Sequence, residues 1–164
     1  METVHCDPDQ FRQACSRFPT GVTVTTVMGK DGLPQGLTVS SFTSVSLNPP
    51  IVLVCIDQRS HVLSELRVDQ CFGINVLGIV QQELSIRFSR KKIDRFSDVS
   101  WYSGVTGAPL LVDASAVFEC RTAALLPAGD HVIVIGLVLQ VASNENEPLA
   151  YFNRCYGKVA ASNS

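Results

Sequence analysis

Long apolar runs are missing from these 164 residues. The longest, residues 132–139, is strand-like and far short of the ~20 residues a membrane helix needs, so no membrane association is expected. The N-terminal residues carry no basic stretch followed by an apolar one, which predicts no secretion signal and a cytoplasmic chain. An excess of one charge is missing too. Thirteen Lys and Arg stand against fifteen Asp and Glu, a net charge of −2. Without a broad basic footprint to release counterions, nucleic acid is excluded as a main partner. No two of the six cysteines (6, 15, 55, 71, 120, 155) are two residues apart, and His5, His61 and His131 do not cluster with them, so no metal site is expected. Cys55, Cys71 and Cys120 lie in apolar runs, where a reduced thiol behaves as a small hydrophobe.

Several catalytic signatures are also lacking. No Gly-x-Gly-x-x-Gly turn joins a strand to a helix, which counts against a doubly wound dinucleotide fold. No Gly-x-Ser-x-Gly elbow is present, and the carboxylates show no pairing suited to glycoside hydrolysis. Asp130 precedes His131, but neighbours on a strand point to opposite faces, so a hydrolytic triad is unsupported. No side chain is therefore assigned a catalytic role.

What is there describes a packed β protein. Hydrophobic residues make up 46% and charged ones 17%, enough for one domain, 1–164, with a core at about residues 8–158. Asp7 or Asp9 can cap a first helix with Phe11, Ala14, Cys15 and Phe18 on one face, ended by Pro19. Residues 22–28 alternate Val and Thr as a strand, and Gly29 and Gly32 predict a hairpin return. Residues 51–56 read as a strand buried on both faces, and Ser60 as the cap of a short helix. Another strand spans 71–77, and a helix spans 80–88 with Val80, Leu84 and Phe88 at four-residue spacing. Two long strands, 116–126 and 131–143, meet at the turn 127–130. About six strands and three short helices predict a mainly antiparallel β fold, closed as a barrel because open edges are a liability.

The segment returning from the first hairpin, residues 36–50 (GLTVSSFTSVSLNPP), reads as one long strand, broken at the end by its prolines. Leu37, Val39, Val45 and Leu47 share one parity as packing residues; Thr38, Ser40, Ser44 and Ser46 share the other. Ser41 and Thr43 interrupt the apolar stripe. Such hydroxyls suit either an anionic, partly aromatic ligand or a solvated strand face. Five bases, Arg87, Arg90, Lys91, Lys92 and Arg95, fall within nine residues. They are either a solvated helix end or an anchor for phosphate. His131, after Gly129-Asp130, either meets a ligand at the rim or begins a strand. Residues 151–157 (YFNRCYG) could stack on a flat ring or pin the tail.

Seven stretches in register, spanning nearly the whole chain, resemble the short NAD(P)H:flavin oxidoreductases, the reductase components of two-component flavin monooxygenases. They are residues 18–24 (FPTGVTV), 36–50, 52–57 (VLVCID), 72–77 (FGINVL), 94–96 (DRF), 129–131 (GDH) and 148–152 (PLAYF). The resemblance implies the FMN-binding split β-barrel, antiparallel and Greek-key-like, and a homodimer with flavin near the subunit interface. It implies FMN or FAD as the flavin and NADH or NADPH as hydride donor, with reduced flavin passed to a separate monooxygenase. A non-catalytic flavin store or sensor of the same fold is the alternative. Carried over, Thr38, Val39, Ser40 and Ser41 would line the ribityl and phosphate end, followed by Cys55, Asp57 and Ser60. Phe88, Ser89, Arg90, Lys91 and Arg95 would close on the phosphate, with His131, Tyr156 and Gly157 on the nicotinamide side. The chain departs from the usual pattern at Asn48, where the family often has Asp, and at Lys158-Val159, in place of Arg or Tyr followed by Arg.

Overall fold

The computed structural model describes residues 6–91 and 93–160. His5 and Lys92 lie outside them. In order, the elements are α1 (Pro8–Cys15), β1 (Thr20–Gly21), β2 (Thr23–Met28), β3 (Pro34–Val39), β4 (Thr43–Leu47), β5 (Pro50–Asp57), α2 (His61–Glu65) and β6 (Cys71–Val76). There follow a 3₁₀ turn (Ile79–Gln81), α3 (Gln82–Ser89), β7 (Trp101–Ser103), β8 (Pro109–Leu111), β9 (Ala116–Ala128), β10 (His131–Ser143), β11 (Leu149–Phe152) and β12 (Cys155–Lys158). Every strand pair is antiparallel, as the turn chemistry predicts.

Seven strands form the main sheet in the order β3-β2-β6-β9-β10-β5-β4. The hydroxyl-rich segment is therefore two strands at opposite ends of this order, not one. Residues 40–42 leave the ladder between them and bring the two edges together, so the sheet curls into a barrel split along the β3/β4 seam. The break has a packing cause. Val39 points into the core at 5% exposure, whereas Phe42 turns onto Phe118, ring centroids 5.3 Å apart. Val45 and Leu47, expected to pack, are 51% and 92% exposed.

Other expectations shift for local reasons. On β5 only Val52, Val54 and Ile56 are buried, while Ile51, Leu53 and Cys55 are half-covered, so the strand is not buried on both faces. The predicted 80–88 helix divides at Gln81, whose side chain accepts from Gly78 N and donates to Val112 O. That fixes a 3₁₀ turn and leaves Val80 outside the packed face. Asp7 caps α1, accepting from the N–H groups of Asp9 and Gln10, yet no residue of α1 is buried. Phe11 and Phe18 stand exposed.

Two apolar clusters hold the fold. One fills the barrel with Val27, Val54, Ile56, Phe72, Ile74 and Val134; the other lies under α3, with Val24, Leu77, Phe88, Leu111 and Leu149. Polar ties complete them. The buried Glu119 carboxylate on β9 accepts from Val105 N at 3.1 Å, from Thr106 N at 2.7 Å and from the Thr106 hydroxyl, holding the β7–β8 turn. Burial pushes this carboxyl up, but the bonds from Thr106 and Val105 outweigh burial and leave it below the usual glutamate value. Its folded pKa lies below its unfolded one. Its stabilisation is thus full above the unfolded value of about 4.3 and is lost as pH falls through the lowered folded value. Urea midpoints measured across acid pH should fall more steeply for the parent chain than for Glu119→Gln. Parallel curves would reject this role.

Candidate functional site

The seam defines the candidate site. β3 pairing ends at Val39 opposite Thr23 and β4 pairing begins at Thr43 opposite Leu53. The peptide groups of residues 40–42 thus lie outside the ladder, with the Ser40 side chain exposed. The hydroxyls on either side are already committed. Thr38 Oγ1 donates to Ser85 O at 2.7 Å, tying β3 to α3. Ser41 Oγ accepts from Cys55 N at 2.8 Å and donates to Cys55 O at 3.2 Å, closing the seam as a backbone pair would. Of the four predicted residues Thr38 to Ser41, Val39 belongs to the core, Thr38 and Ser41 to the frame, and Ser40 faces outward.

On the β3 side stands the C-terminal end of α3. Phe88 is fully buried, edge-on to Phe96 at 5.0 Å, so its ring cannot touch a ligand. The Ser89 hydroxyl donates to Ile86 O at 2.7 Å. Arg90 and Lys91 are exposed, and neither is ion-paired with a carboxylate among the described residues. Arg95, expected at the phosphate, is tied to two backbone carbonyls. Its guanidinium donates to Gly36 O at 2.6 Å and to Arg90 O at 2.8 Å, bracing the loop against β3. Burial lowers its pKa from the usual arginine value. It braces Arg90, and among the described bases of this cluster Arg90 and Lys91 have side chains with no hydrogen-bonded or ionic partner.

On the β5 side, the strand carries Cys55 and Asp57 to the rim, where Asp57 sits opposite His131 of β10. Arg59 clamps Asp57 at 2.7 and 3.0 Å and holds its carboxyl well below the usual range. Asp57 is thereby committed to Arg59. The Ser60 hydroxyl caps α2, accepting from Val62 N at 3.3 Å. Asp130 lies in the turn and not on the strand, so its carboxylate does reach His131, accepting from Nδ1 at 2.7 Å. This bond, with the His131 charge, lowers the Asp130 pKa. Because an ionised carboxylate only accepts, Nδ1 is the donor in this bond.

Tyr156 reaches α3 by a 2.8 Å bond between its hydroxyl and Ser85 Oγ, and its ring lies 5.1 Å from Tyr151. Gly157 is exposed beside it. Ser85, absent from the sequence expectation, thus joins β3 and β12 to α3; its one signal was its place three residues before Phe88 on the helix. Burial pushes the Cys120 thiol up to about 12, in keeping with an inert thiol. Among the described residues no His, Cys, Asp and Glu cluster could hold a metal, and no helix is long and apolar enough to cross a membrane.

The fold is a split β-barrel with an unladdered, hydroxyl-bearing seam between a cationic helix end and a histidine-bearing rim. Residues 15–160 match the family model described as "Flavin reductase like domain", and the chain belongs to the flavin reductase family. It is 44% identical over 156 residues to flavin reductase (NADH) of Kitasatospora aureofaciens, covering 93% of this chain and 82% of that protein. It is 40% identical over 145 residues to the stachydrine N-demethylase reductase subunit Stc3 of Rhizobium meliloti, covering 88% of this chain. It spans 63% of the length of Stc3 and 47% of a second Rhizobium meliloti relative. The NADH:FAD oxidoreductase SgcE6 of Streptomyces globisporus C-1027, solved with NAD and FAD fragments, superposes with a TM-score of 0.89 at 35% identity, covering 100% of both chains.

Proposed function

We propose that this chain is an NAD(P)H:flavin oxidoreductase that reduces FMN or FAD and passes the reduced flavin to a separate monooxygenase. The observation that carries the reading is the seam at residues 40–42, whose peptide groups fall outside the ladder between the free cations Arg90 and Lys91 and the rim histidine. Such a surface fits a flavin: hydroxyl and N–H donors for its polar edge, cations for its phosphate. The names of the Kitasatospora and Rhizobium relatives, a flavin reductase and a demethylase reductase subunit, support the same reading.

Bound flavin supplies a hydride acceptor at N5, and the dihydronicotinamide C4 supplies the hydride. The chain's own work is placement. Residues 40–42 and the exposed Ser40 hydroxyl orient the ring and stabilise negative charge on it. Arg90, steadied by Arg95, and Lys91 hold the phosphate. His131, tied at Nδ1 to Asp130, would stand on the nicotinamide side. No group needs to act as nucleophile. Phe11, Phe18, Val45, Leu47 and Val141 are each more than half exposed, apolar area of the kind a homodimer would bury. Domain extent, about 8–158, and a cytoplasmic location complete the proposal.

Absorbance at 340 nm tests it. NADH or NADPH should be consumed in the presence of FMN or FAD only when protein is added. No consumption with any of the four combinations would sink the proposal, and a yellow cofactor retained without turnover would point to a flavin store.

A further inference from the structure

Helix α3 runs out into Arg90 and Lys91, so whatever fixes the helix also fixes where those two cations stand. Apart from the bond from Arg87 to Ser97 O, every hydrogen bond from α3 to another element passes through Ser85 among the described residues. The Ser85 carbonyl accepts from Thr38 Oγ1 of β3, in the seven-stranded sheet. The Ser85 hydroxyl shares a 2.8 Å bond with that of Tyr156 on β12, in the three-stranded sheet. Ser85 itself is 1% exposed. Buried Phe88 sets how deep the helix lies, but apolar contact is non-directional and leaves a helix free to slide or turn. The two bonds at Ser85 remove that freedom.

The Tyr156 end of that bond is itself held. β11 and β12 form a hairpin anchored at its base, where the fully buried Leu149 donates to Leu77 O at 2.8 Å and accepts from Val22 N at 3.2 Å. At the tip, Asn153 N donates to Ser16 O at 2.9 Å. β12 pairs with β11 alone, and the bond to Ser85 is its one hydrogen bond beyond the hairpin among the described residues. The Tyr156 ring packs on the apolar cluster under α3. The hairpin is therefore a strut, fixed at base and tip, with a single polar contact on the helix. We propose that Ser85 and Tyr156 are positioning residues for the flavin phosphate: the strut holds α3 where Arg90 and Lys91 meet the seam, and neither hydroxyl touches the nucleotide. The inference rests on the flavin reading of the seam. It departs from the nicotinamide-side expectation for Tyr156, whose hydroxyl is taken up by Ser85.

Ser85→Ala removes the hydroxyl and keeps the carbonyl that Thr38 uses. Tyr156→Phe breaks the same bond from the other side, keeps the ring, and serves if the first variant unfolds. Flavin fluorescence titrations compare FMN with riboflavin, which lacks the phosphate. Either variant should weaken FMN binding about fivefold, the range of one neutral hydrogen bond, and leave riboflavin binding unchanged. The double variant should bind FMN no more weakly than either single one. In a chain already carrying Arg90→Ala and Lys91→Ala, Tyr156→Phe should have no further effect. A purely structural role would lower Tm and weaken both flavins alike. Equal losses for the two flavins, unchanged FMN binding, or a raised KM for NADH with FMN binding intact would overturn the proposal. A parent chain that binds no FMN would overturn it too. The expected FMN pattern in a chain that consumes neither NADH nor NADPH would overturn the reductase reading alone and leave the strut standing.

Discussion

Asn75→Leu is expected to lower the free energy of unfolding by about 3 kcal/mol, mainly the cost of a buried backbone donor left without an acceptor. Asn75 is fully buried on β6. Its Oδ1 accepts from Leu111 N at 2.7 Å, and its Nδ2 donates to Val24 O at 3.0 Å and to Thr26 Oγ1 at 3.2 Å. Three elements, β2, β6 and β8, therefore share one side chain. Leucine fills much the same space, so a cavity is not the cause of the loss. Leu111 N is the critical group, because Asn75 Oδ1 is its acceptor and leucine offers none. Thr26 fares better, since its hydroxyl also donates to Pro109 O. For a chain of this size the loss corresponds to a fall of roughly 6–12 °C in Tm. Urea unfolding with unchanged m and a lower midpoint would agree with it. A midpoint within error of the parent would mean that Leu111 N finds another acceptor.

Asn75 also shows why some of this molecule is legible in its sequence and some is not. Local chemistry reads well. Gly29 and Gly32 announce the β2–β3 hairpin, Asp7 and Ser60 their helix caps, and the apolar runs on either side of the turn 127–130 the longest pair of strands. Each signal lies within a few residues of the feature it creates. Groups that act at long range do not read this way. Ser41 completes its bonds with Cys55, fourteen residues on, and Arg95 with Gly36, fifty-nine residues back. The parity of residues 36–47 looks continuous because a strand that leaves one sheet edge and rejoins the other keeps its period on both sides of the break. Five clustered bases announce a positive segment but not its division of labour. Arg87 and Arg95 are bonded to carbonyls, and only the fold reveals that, among the described bases, Arg90 and Lys91 remain. The apolar faces of α1 and β4 are legible but their exposure is not, for a related reason: periodicity shows that a face is apolar, not which surface covers it.

The other large effect concerns the junction that holds the cationic helix end against the seam. Gly36→Ala is expected to raise the flavin KM about tenfold, about 1.4 kcal/mol, with a smaller effect on kcat. A methyl group at Gly36 would stand 2.9 and 3.1 Å from the Phe88 ring and 3.2 Å from Thr25 O. Phe88 cannot yield freely, being fully buried with Phe96 edge-on against it. The strain should pass to α3, loosening the bonds from Thr38 to Ser85 O and from Arg95 to Gly36 O, and with them the placement of Arg90. Overpacking of this kind costs about 1–3 kcal/mol in stability as well. A second substitution separates the packing cause from damage to the site. Phe88→Leu alone should cost about 1–2 kcal/mol through lost volume. Combined with Gly36→Ala it removes the ring carbons that the methyl group meets, so the pair should be less harmful than the sum of its parts. Recovery of the flavin KM in the double variant would locate the control of Arg90 in the Gly36–Phe88 contact. Strict additivity would place it elsewhere, in the Arg95 brace alone.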